Sequence, residues 1–543
     1  MLDSEPMRFI SWRLWALAIL SSLLQVLPFP IAGPAPLWRR LFCWFCLTPL
    51  LAALLGNDSR GTRLRPAQTT LLAYVCGVFW YLGNCYWIYQ TMHLYGDIPR
   101  LASMGILLLF SLYVALYHAL FGALFGVLRK RLSHQAVLWT APFLWVAVEL
   151  ARSRITGFPW DLLGYTQVDN LTLIRLAPWT GVFGLSFLIA CVNILWISRI
   201  SPWRGKTPVP GFALATVLVV GFTLLGWLTS PPKQAAATST AVLLQENLSI
   251  GAEAAKQSES KEQLLAAFTQ LSLHPGFAAG PGDAPADPVA GVGIKPEIIA
   301  WPEAPAPFFD ADTEFRNAIG ALAVRTQTPV IVNALSFGAR NGDGHYDEYN
   351  SASFFLPNGS YAGHYDKMRL VPFGEYVPYK PLFFFAGSLL DNLPFVPGIK
   401  RRLFESGGKR YGVFICYESI FGDDIRHFAG DGAEVLVNIS DDGWYGDSSA
   451  PWEHLDMVRM RAIENHRWVL RATNTGITAA IDPYGRITAV MPRHIRGSMT
   501  VNFAYSSVET FYTRYGDWFA WLCAVVSAAV LAMSYAKRRA VDW

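Results

Sequence analysis

The chain has 543 residues, of which 52% are hydrophobic and 15% are charged. Soluble globular proteins carry about 25% charged residues, so this composition argues against a soluble multidomain enzyme. The net charge of +4 comes from short basic clusters beside apolar segments, which argues against a nucleic acid as partner.

Apolar runs fill most of the first 230 residues and recur near the C-terminus. Since about 20 apolar residues cross a bilayer, these runs predict membrane spans. The first run follows Arg8 and Arg13, as a cleaved signal peptide would, but its length and the lack of an A-x-A site favour a retained span. The eight predicted spans are residues 10–29, 41–55, 70–90, 102–127, 136–153, 177–197, 209–229 and 515–536.

Every second loop between these runs is basic, and basic loops mark the cytoplasmic side of a membrane. Arg39 and Arg40 lie on the other side and are the one exception. We therefore expect both termini in the cytoplasm and residues 230–514 outside, in the periplasm of a cell with two membranes. The basic clusters are Arg60, Arg63 and Arg65; Arg129, Lys130 and Arg131; Arg199, Arg204 and Lys206; and Lys537, Arg538 and Arg539.

The outer segment alternates short apolar strands with helical stretches, for example a strand at 241–245 and a helix at 259–272. This alternation predicts an α/β (αββα) sandwich with a layer of helices outside each sheet. Residues 275–294, rich in Gly, Ala, Pro and Asp, are interpreted as an inserted flexible loop. The predicted domains are a membrane domain (1–230), an extramembranous domain (231–510), and a last span with its tail (511–543).

One cysteine stands apart from the other six, which all lie in the apolar runs. Cys416 follows the β-type run Tyr411–Ile415 and precedes a polar, helix-compatible segment. A thiol on a sharp turn after a strand is a candidate nucleophile. The alternative is a buried cysteine that closes a core strand, which is the commoner role of a lone cysteine.

Two further polar residues also follow predicted strands: Glu303 ends the stretch EIIAWPE, and Lys367 lies in HYDKMRL. A thiol is only a few per cent thiolate at neutral pH and needs a base or a cation to react. A carboxylate can take its proton, and a lysine can stabilise the thiolate and a later oxyanion. Each residue alone could be an ordinary surface group, but their shared placement at strand ends predicts one site.

The motifs WPE, KMRLVPFGE and CYE resemble those of the nitrilase superfamily, whose Glu–Lys–Cys triad occurs in this order. Further stretches resemble the apolipoprotein N-acyltransferase family, membrane-bound acyltransferases within that superfamily, so the resemblance runs nearly end to end. It is carried by YWIYQTMHLYGDIP (86–99), TGFPWDLLGYTQ (156–167), GVFGLSFLI (181–189), PWEHLDMVRMRAIE (451–464) and RATNTGITAAIDPYG (471–485).

The resemblance implies that Glu303 is the general base, Lys367 the oxyanion-stabilising cation and Cys416 the nucleophile. It also implies that Tyr417 offers its backbone N–H to the oxyanion. Glu375 would be a supporting acid and Glu418 a residue that orients the site. Trp160, expected at the outer membrane interface, and Trp444 are candidate substrate-binding residues.

The reaction implied by the resemblance needs no cofactor and takes place at the bacterial inner membrane. Cys416 would take the sn-1 acyl chain of a phospholipid, typically phosphatidylethanolamine, as a thioester. The α-amine of a diacylglyceryl-modified N-terminal cysteine on an apolipoprotein would then accept the chain. Nothing in the sequence requires more than a monomer, and no His or Cys spacing predicts a metal site.

The stretch at 375–400 is too apolar for a water-facing loop and predicts a contact with membrane or acyl chains; the alternative is a core segment. Two positions depart from the family pattern, Glu246 in place of glycine and Asp441 in place of asparagine, and they bear on substrate preference. The alternative functions are a membrane-tethered amidase or nitrilase for a small C–N substrate, and a non-catalytic scaffold or transporter.

Overall fold

The structure, a computed structural model, describes most of the chain. The seventh predicted span lies almost wholly outside the described residues, as do most of the glycine-rich insert and of the apolar stretch at 375–400. The described residues are 9–199, 220–221, 224, 235–251, 259–277, 295–303, 308–340, 346–377 and 395–539.

The N-terminal part is a bundle of apolar helices to which the C-terminal helix adds. Pro66 begins one helix at a position where its missing N–H costs nothing, and Ser133 caps another by accepting a hydrogen bond from Ala136 N–H. The described α-helices of this part are Trp12–Val26, Leu37–Arg40, Thr48–Leu55, Pro66–Asn84, Trp87–Gln90, Arg100–Val114, Leu116–Arg131, His134–Ala151, Ala177–Thr180, Val182–Arg199, Phe511–Tyr515 and Trp518–Arg539.

Three helical stretches of the described residues are long and apolar enough to cross a membrane: Leu37–Leu55, Arg100–Arg131 and Trp518–Ala536. A fourth span results if Pro66–Asn84 and Trp87–Tyr95, which meet at 50°, are counted together. The apolar helices Trp12–Val26 and Val182–Ile197 are shorter, and most side chains of His134–Ala151 are buried. The predicted number of eight spans is therefore not confirmed and stays a prediction.

The second part contains two six-stranded mixed sheets, ordered β12-β1-β2-β3-β4-β5 and β11-β10-β9-β8-β7-β6. In the first sheet β1, β2 and β3 are parallel, and in the second β7, β8 and β9 are parallel. The strands are β1 Ser239–Gln245, β2 Ile298–Ala300, β3 Val330–Arg340, β4 Tyr346–Phe355, β5 Tyr361–Asp366, β6 Leu403–Ser406, β7 Lys409–Ile415, β8 Val435–Ser440, β9 Val469–Thr473, β10 Ala479–Ile481, β11 Ile487–Val490 and β12 Gly497–Phe503.

Alternate side chains of each strand face opposite sides, and this sorts them between two cores. Leu243 of β1 joins Val413 and Val437 of the other sheet in the core between the sheets. Val242 faces the other way, onto helices Lys261–Leu273 and Thr313–Thr326. The predicted helix layer is therefore present on this face of the sandwich.

The second sheet is covered by helices Gly422–Gly430 and Ala450–Asn465. All residues of helix Ala450–Asn465 except Trp452 are buried, because the helical part covers the face turned away from the sheet. Its Met457 packs in one cluster with Trp160 and Leu185 of the helical part. The sandwich and the bundle thus share a core.

Four charged side chains close a ring across this contact. Arg40 lies 2.8 Å from Asp169 and 3.1 Å from Asp456, and Arg459 lies 2.5 Å from Asp169 and 2.9 Å from Asp456. Arg39 donates to the carbonyls of the loop that precedes it. These contacts give a structural reason for the two arginines that deviate from the pattern of basic loops.

Candidate active site

The three predicted catalytic residues lie beyond the ends of three strands, two from the first sheet and one from the second sheet, which faces it. Glu303 follows β2, Lys367 directly follows β5, and Cys416 directly follows β7. All three are buried, with Lys367 only 1% exposed. The structure brings them together with Glu375, which lies in a turn after Lys367.

Cys416 occupies a strained turn. Its φ of 48° is in the left-handed region, which a non-glycine residue adopts at a cost, and a 3₁₀-helix, Cys416–Ile420, begins there. The chain thus leaves β7 and turns sharply at the thiol-bearing residue. This geometry is typical of a nucleophile presented between a strand and a helix.

The Lys367 ammonium lies between two carboxylates. Its Nζ is 3.0 Å from Oε1 of Glu303 and 2.8 Å from Oε1 of Glu375. The amide of Asn350 donates to the same two oxygens, at 2.7 and 3.0 Å. The second oxygens accept backbone hydrogen bonds, Glu303 from Asp441 at 3.0 Å and Glu375 from Val371 at 2.7 Å. Both carboxylates are therefore held in one orientation.

The charges of this cluster set the protonation state of the nucleophile. Burial raises the pKa of Cys416 well above its usual value, the charge of Glu303 raises it further, and Lys367 opposes both. Burial disfavours the charged form of Lys367, but Glu303 and Glu375 together keep its pKa well above the usual value. Resting Cys416 is therefore a thiol beside a carboxylate that can take its proton and an ammonium that can stabilise negative charge.

Glu418 ties the nucleophile turn to the segment that carries Lys367. Its Oε2 accepts from Ile415 N–H at 2.7 Å, and its Oε1 accepts from Tyr365 O–H and Met368 N–H, each at 2.7 Å. Burial raises its pKa to about 7. Glu418 thus connects the end of β7 with the residues on either side of Lys367.

The two tryptophans and Tyr417 lie at the contact with the helical part. Tyr417 is buried, and its hydroxyl donates to the Gly157 carbonyl at 3.3 Å. Trp444 is 44% exposed, and its carbonyl accepts from Thr91 Oγ1 at 2.9 Å. Trp160 differs from the expectation: it is fully buried and donates to Glu453 at 2.7 Å, because helix Ala450–Asn465 covers it.

Four residues around this site were not predicted from the sequence. Asn350 comes from the middle of β4, where no local pattern distinguishes it. Asp442 accepts from His454, and Arg471 is ion-paired with Asp442, although these residues are far apart in sequence. Arg471 is the first residue of the stretch RATNTGIT. A charged residue at the end of the apolar run that precedes it was the signal in the sequence that a buried partner exists.

Of the two unusual acids, Asp441 contacts Glu303, and Glu246 lies near Asp441. Asp441 donates a hydrogen bond from its backbone N–H to Glu303. Burial, and to a smaller extent the charge of Glu303, raises the pKa of the Asp441 side chain to about 8. Glu246 is fully buried, its pKa is raised well above the usual value by burial, and neither of its carboxylate oxygens has a hydrogen-bond partner in the described part of the chain. Among the residues with described positions, no group of three or more His, Cys, Asp and Glu could hold a metal ion.

Two family models match the chain. Residues 21–195 match the apolipoprotein N-acyltransferase N-terminal domain, and residues 237–512 match the carbon-nitrogen hydrolase domain. The chain is 34% identical to the apolipoprotein N-acyltransferase of Geobacter metallireducens, over 97% of this chain and 96% of that one. It is 32% identical to the Methylococcus capsulatus enzyme of the same name, over 92% and 93%. A solved Nesterenkonia amidase covers 50% of this chain and 93% of its own, with 15% identity and a TM-score of 0.35.

Proposed function

This chain belongs to the apolipoprotein N-acyltransferase family, and we propose that it transfers an acyl chain from a membrane phospholipid to the N-terminus of bacterial lipoproteins. The donor is the sn-1 chain of a phosphatidylethanolamine-like lipid. The acceptor is the α-amine of a diacylglyceryl-modified N-terminal cysteine. The observation that carries the mechanism is the cluster of Glu303 and Lys367 beside the buried thiol of Cys416.

In the first half-reaction Glu303 takes the Cys416 proton as the sulfur attacks the ester carbonyl. The charge that develops on the carbonyl oxygen is stabilised by Lys367 Nζ and by the backbone N–H of Tyr417. Glu303 then gives the proton to the departing glyceryl oxygen. A lysophospholipid leaves, and the acyl chain stays on Cys416 as a thioester.

In the second half-reaction the lipoprotein amine attacks the thioester carbonyl. Glu303 takes the proton that the amine loses, and the same two donors stabilise the oxyanion. The thiolate of Cys416 leaves and recovers the proton from Glu303. An amide is formed and the enzyme returns to its starting state, so the two substrates react in turn at one sulfur.

The contact between the sandwich and the helical part supports a lipid donor. Tyr417, next to the nucleophile, packs with Phe158 and Trp160 of the helical part. Leu94 and Trp179 of that part are exposed apolar side chains, as expected of a membrane-facing surface. A membrane-tethered amidase for small C–N substrates is not favoured, because the N-terminal match is to the acyltransferases.

We further propose the topology implied by the basic loops. Eight spans place both termini in the cytoplasm and the domain of residues 231–510 in the periplasm, while residues 1–230 and 511–543 form the membrane part. The chain acts as a monomer. Cysteine-accessibility labelling in intact and permeabilised cells tests the topology. The cysteine of an Asn358→Cys variant should react from the periplasm, and that of an Arg65→Cys variant only after permeabilisation.

Incubation of the purified enzyme with phospholipid labelled in the sn-1 chain tests the activity. We expect lysophospholipid to be released and, when a diacylglyceryl-cysteine peptide is added, the label to move to that peptide. The Cys416→Ala variant is the matched control. Hydrolysis of a small amide without release of lysophospholipid would instead identify the amidase function.

A further inference from the structure

Behind the nucleophile, four polar side chains form a chain that is closed to solvent. Ser419, His454, Asp442 and Arg471 are all fully buried. His454 Nε2 lies 2.6 Å from Ser419 Oγ and 3.1 Å from the carbonyl oxygen of Cys416. On the other side of the ring, His454 Nδ1 lies 2.8 Å from Oδ1 of Asp442. His454 therefore connects the Cys416 backbone to a buried carboxylate.

The partners of His454 favour a hydrogen on each ring nitrogen. The Ser419 hydroxyl could donate to Nε2 only if that nitrogen carried none, and a lone pair would then lie 3.1 Å from the Cys416 carbonyl oxygen. The Cys416 carbonyl and the Asp442 carboxylate can only accept hydrogen bonds, so each contact requires a hydrogen on the facing ring nitrogen. A neutral ring carries one hydrogen and would place a lone pair against one of these acceptors. With both nitrogens protonated, the ring is an imidazolium and both contacts are hydrogen bonds.

The groups packed around His454 suit a cation, with one exception. The indole ring of Trp160 stacks on it, with 5.9 Å between the ring centroids and 16° between the planes, so the π-face of Trp160 meets the ring of His454. Arg471 is the exception, with Nη2 3.2 Å from His454 Nδ1. Arg471 also lies 2.5 Å from Oδ2 of Asp442, so this carboxylate faces both cations.

We propose that His454 is a positioning residue: as an imidazolium held by Asp442, it fixes the Cys416 carbonyl and thereby the direction of the Tyr417 N–H. The carbonyl and the following N–H belong to one planar peptide unit and point to opposite sides. Holding the oxygen thus aims the N–H that follows Cys416, whose own φ of 48° is strained. The inference rests on the proposed function, in which Tyr417 N–H stabilises the oxyanion.

Two variants of similar size separate this role from packing. In His454→Gln the side-chain amide extends to the position of Nε2 and still donates to the Cys416 carbonyl. In His454→Asn the amide stops near the position of Nδ1 and cannot reach it. We expect formation of the acyl-enzyme from phospholipid to slow about 10²-fold in His454→Asn, as when an oxyanion donor is lost, and by about 3-fold in His454→Gln, with the KM for phospholipid unchanged in both.

Equal losses in the two variants, or an Asn variant within about 3-fold of the native rate, would overturn the proposal. If His454→Asn does not fold, nitrogen NMR of the native protein labelled with ¹⁵N-histidine decides the question. A doubly protonated, solvent-protected ring at neutral pH is expected, and a neutral ring would contradict the proposal. Absence of any acyl-enzyme in the native protein would reject the proposed function, while the NMR result would still test the charge of His454.

Discussion

The ammonium of Lys367 lies 3.0 Å from the carboxylate of Glu303, and both groups are buried at the ends of strands from the same sheet. Glu375 shares this ammonium at 2.8 Å. One cation thus faces two carboxylates, and only Glu303 is proposed to move a proton. The two acids can be told apart because each has an isosteric amide variant.

Glu303→Gln should slow formation of the acyl-enzyme by about 10²- to 10⁴-fold, because the base that takes the Cys416 proton is lost. Glu375→Gln should have a smaller effect, since it removes a charge from Lys367 and leaves the base in place. Stopped-flow release of lysophospholipid measures both rates. A larger loss in Glu375→Gln would mean that the roles of the two acids are reversed.

Glu418→Gln should lower both stability and the rate of acylation. The two carboxylate oxygens of Glu418 accept hydrogen bonds from Ile415, Tyr365 and Met368, and an amide nitrogen in place of one oxygen would oppose a donor. Leaving a buried donor without its acceptor costs about 1–3 kcal/mol. Thermal unfolding in detergent, with Glu405→Gln in β6 as a surface control, measures the loss. An unchanged unfolding temperature would show that Glu418 does not join the two segments.

Asp441→Asn should make the protein more stable at alkaline pH. The pKa of Asp441 is raised to about 8, while an aspartate in an unfolded chain titrates near 4. Its stabilising contribution is therefore full below about pH 4 and is lost as the pH rises through about 8. The variant keeps the oxygen that accepts from Gly443 and Asn474. Its unfolding temperature should exceed that of the native protein increasingly between about pH 4 and about pH 8 and by a constant margin above that, and a difference that does not change over this range would contradict this.

The ring of Arg40, Asp169, Arg459 and Asp456 predicts coupling between the two parts of the chain. Arg40→Met leaves two acids on Arg459 and should destabilise the protein by about 3–5 kcal/mol. Adding Asp456→Asn restores the charge balance. The double variant should therefore lose less free energy of unfolding than the two single variants lose together, by about 0.5–3 kcal/mol. Unfolding in urea measures this cycle. Additive losses would mean that the ring does not act as a unit.

Local sequence patterns were sufficient to place the three proposed catalytic residues at strand ends and insufficient for the residues around them. Glu303 and Cys416 come at or just beyond the ends of apolar strands, and strand ends can be recognised from alternation and turn residues. Asn350 and His454 join the site through packing between segments distant in sequence, which no local pattern specifies. The burial of Trp160 was missed for the same reason, because it depends on helix Ala450–Asn465 lying across it.

Intact-mass spectrometry of the enzyme after exposure to a phospholipid of defined sn-1 chain tests the central claim most directly. The native protein should gain the mass of one acyl chain, and hydroxylamine, which cleaves thioesters, should remove it. Cys416→Ala should gain nothing. An acyl adduct that persists in Cys416→Ala, or turnover by the native enzyme without any adduct under conditions that trap thioesters, would contradict a reaction through Cys416.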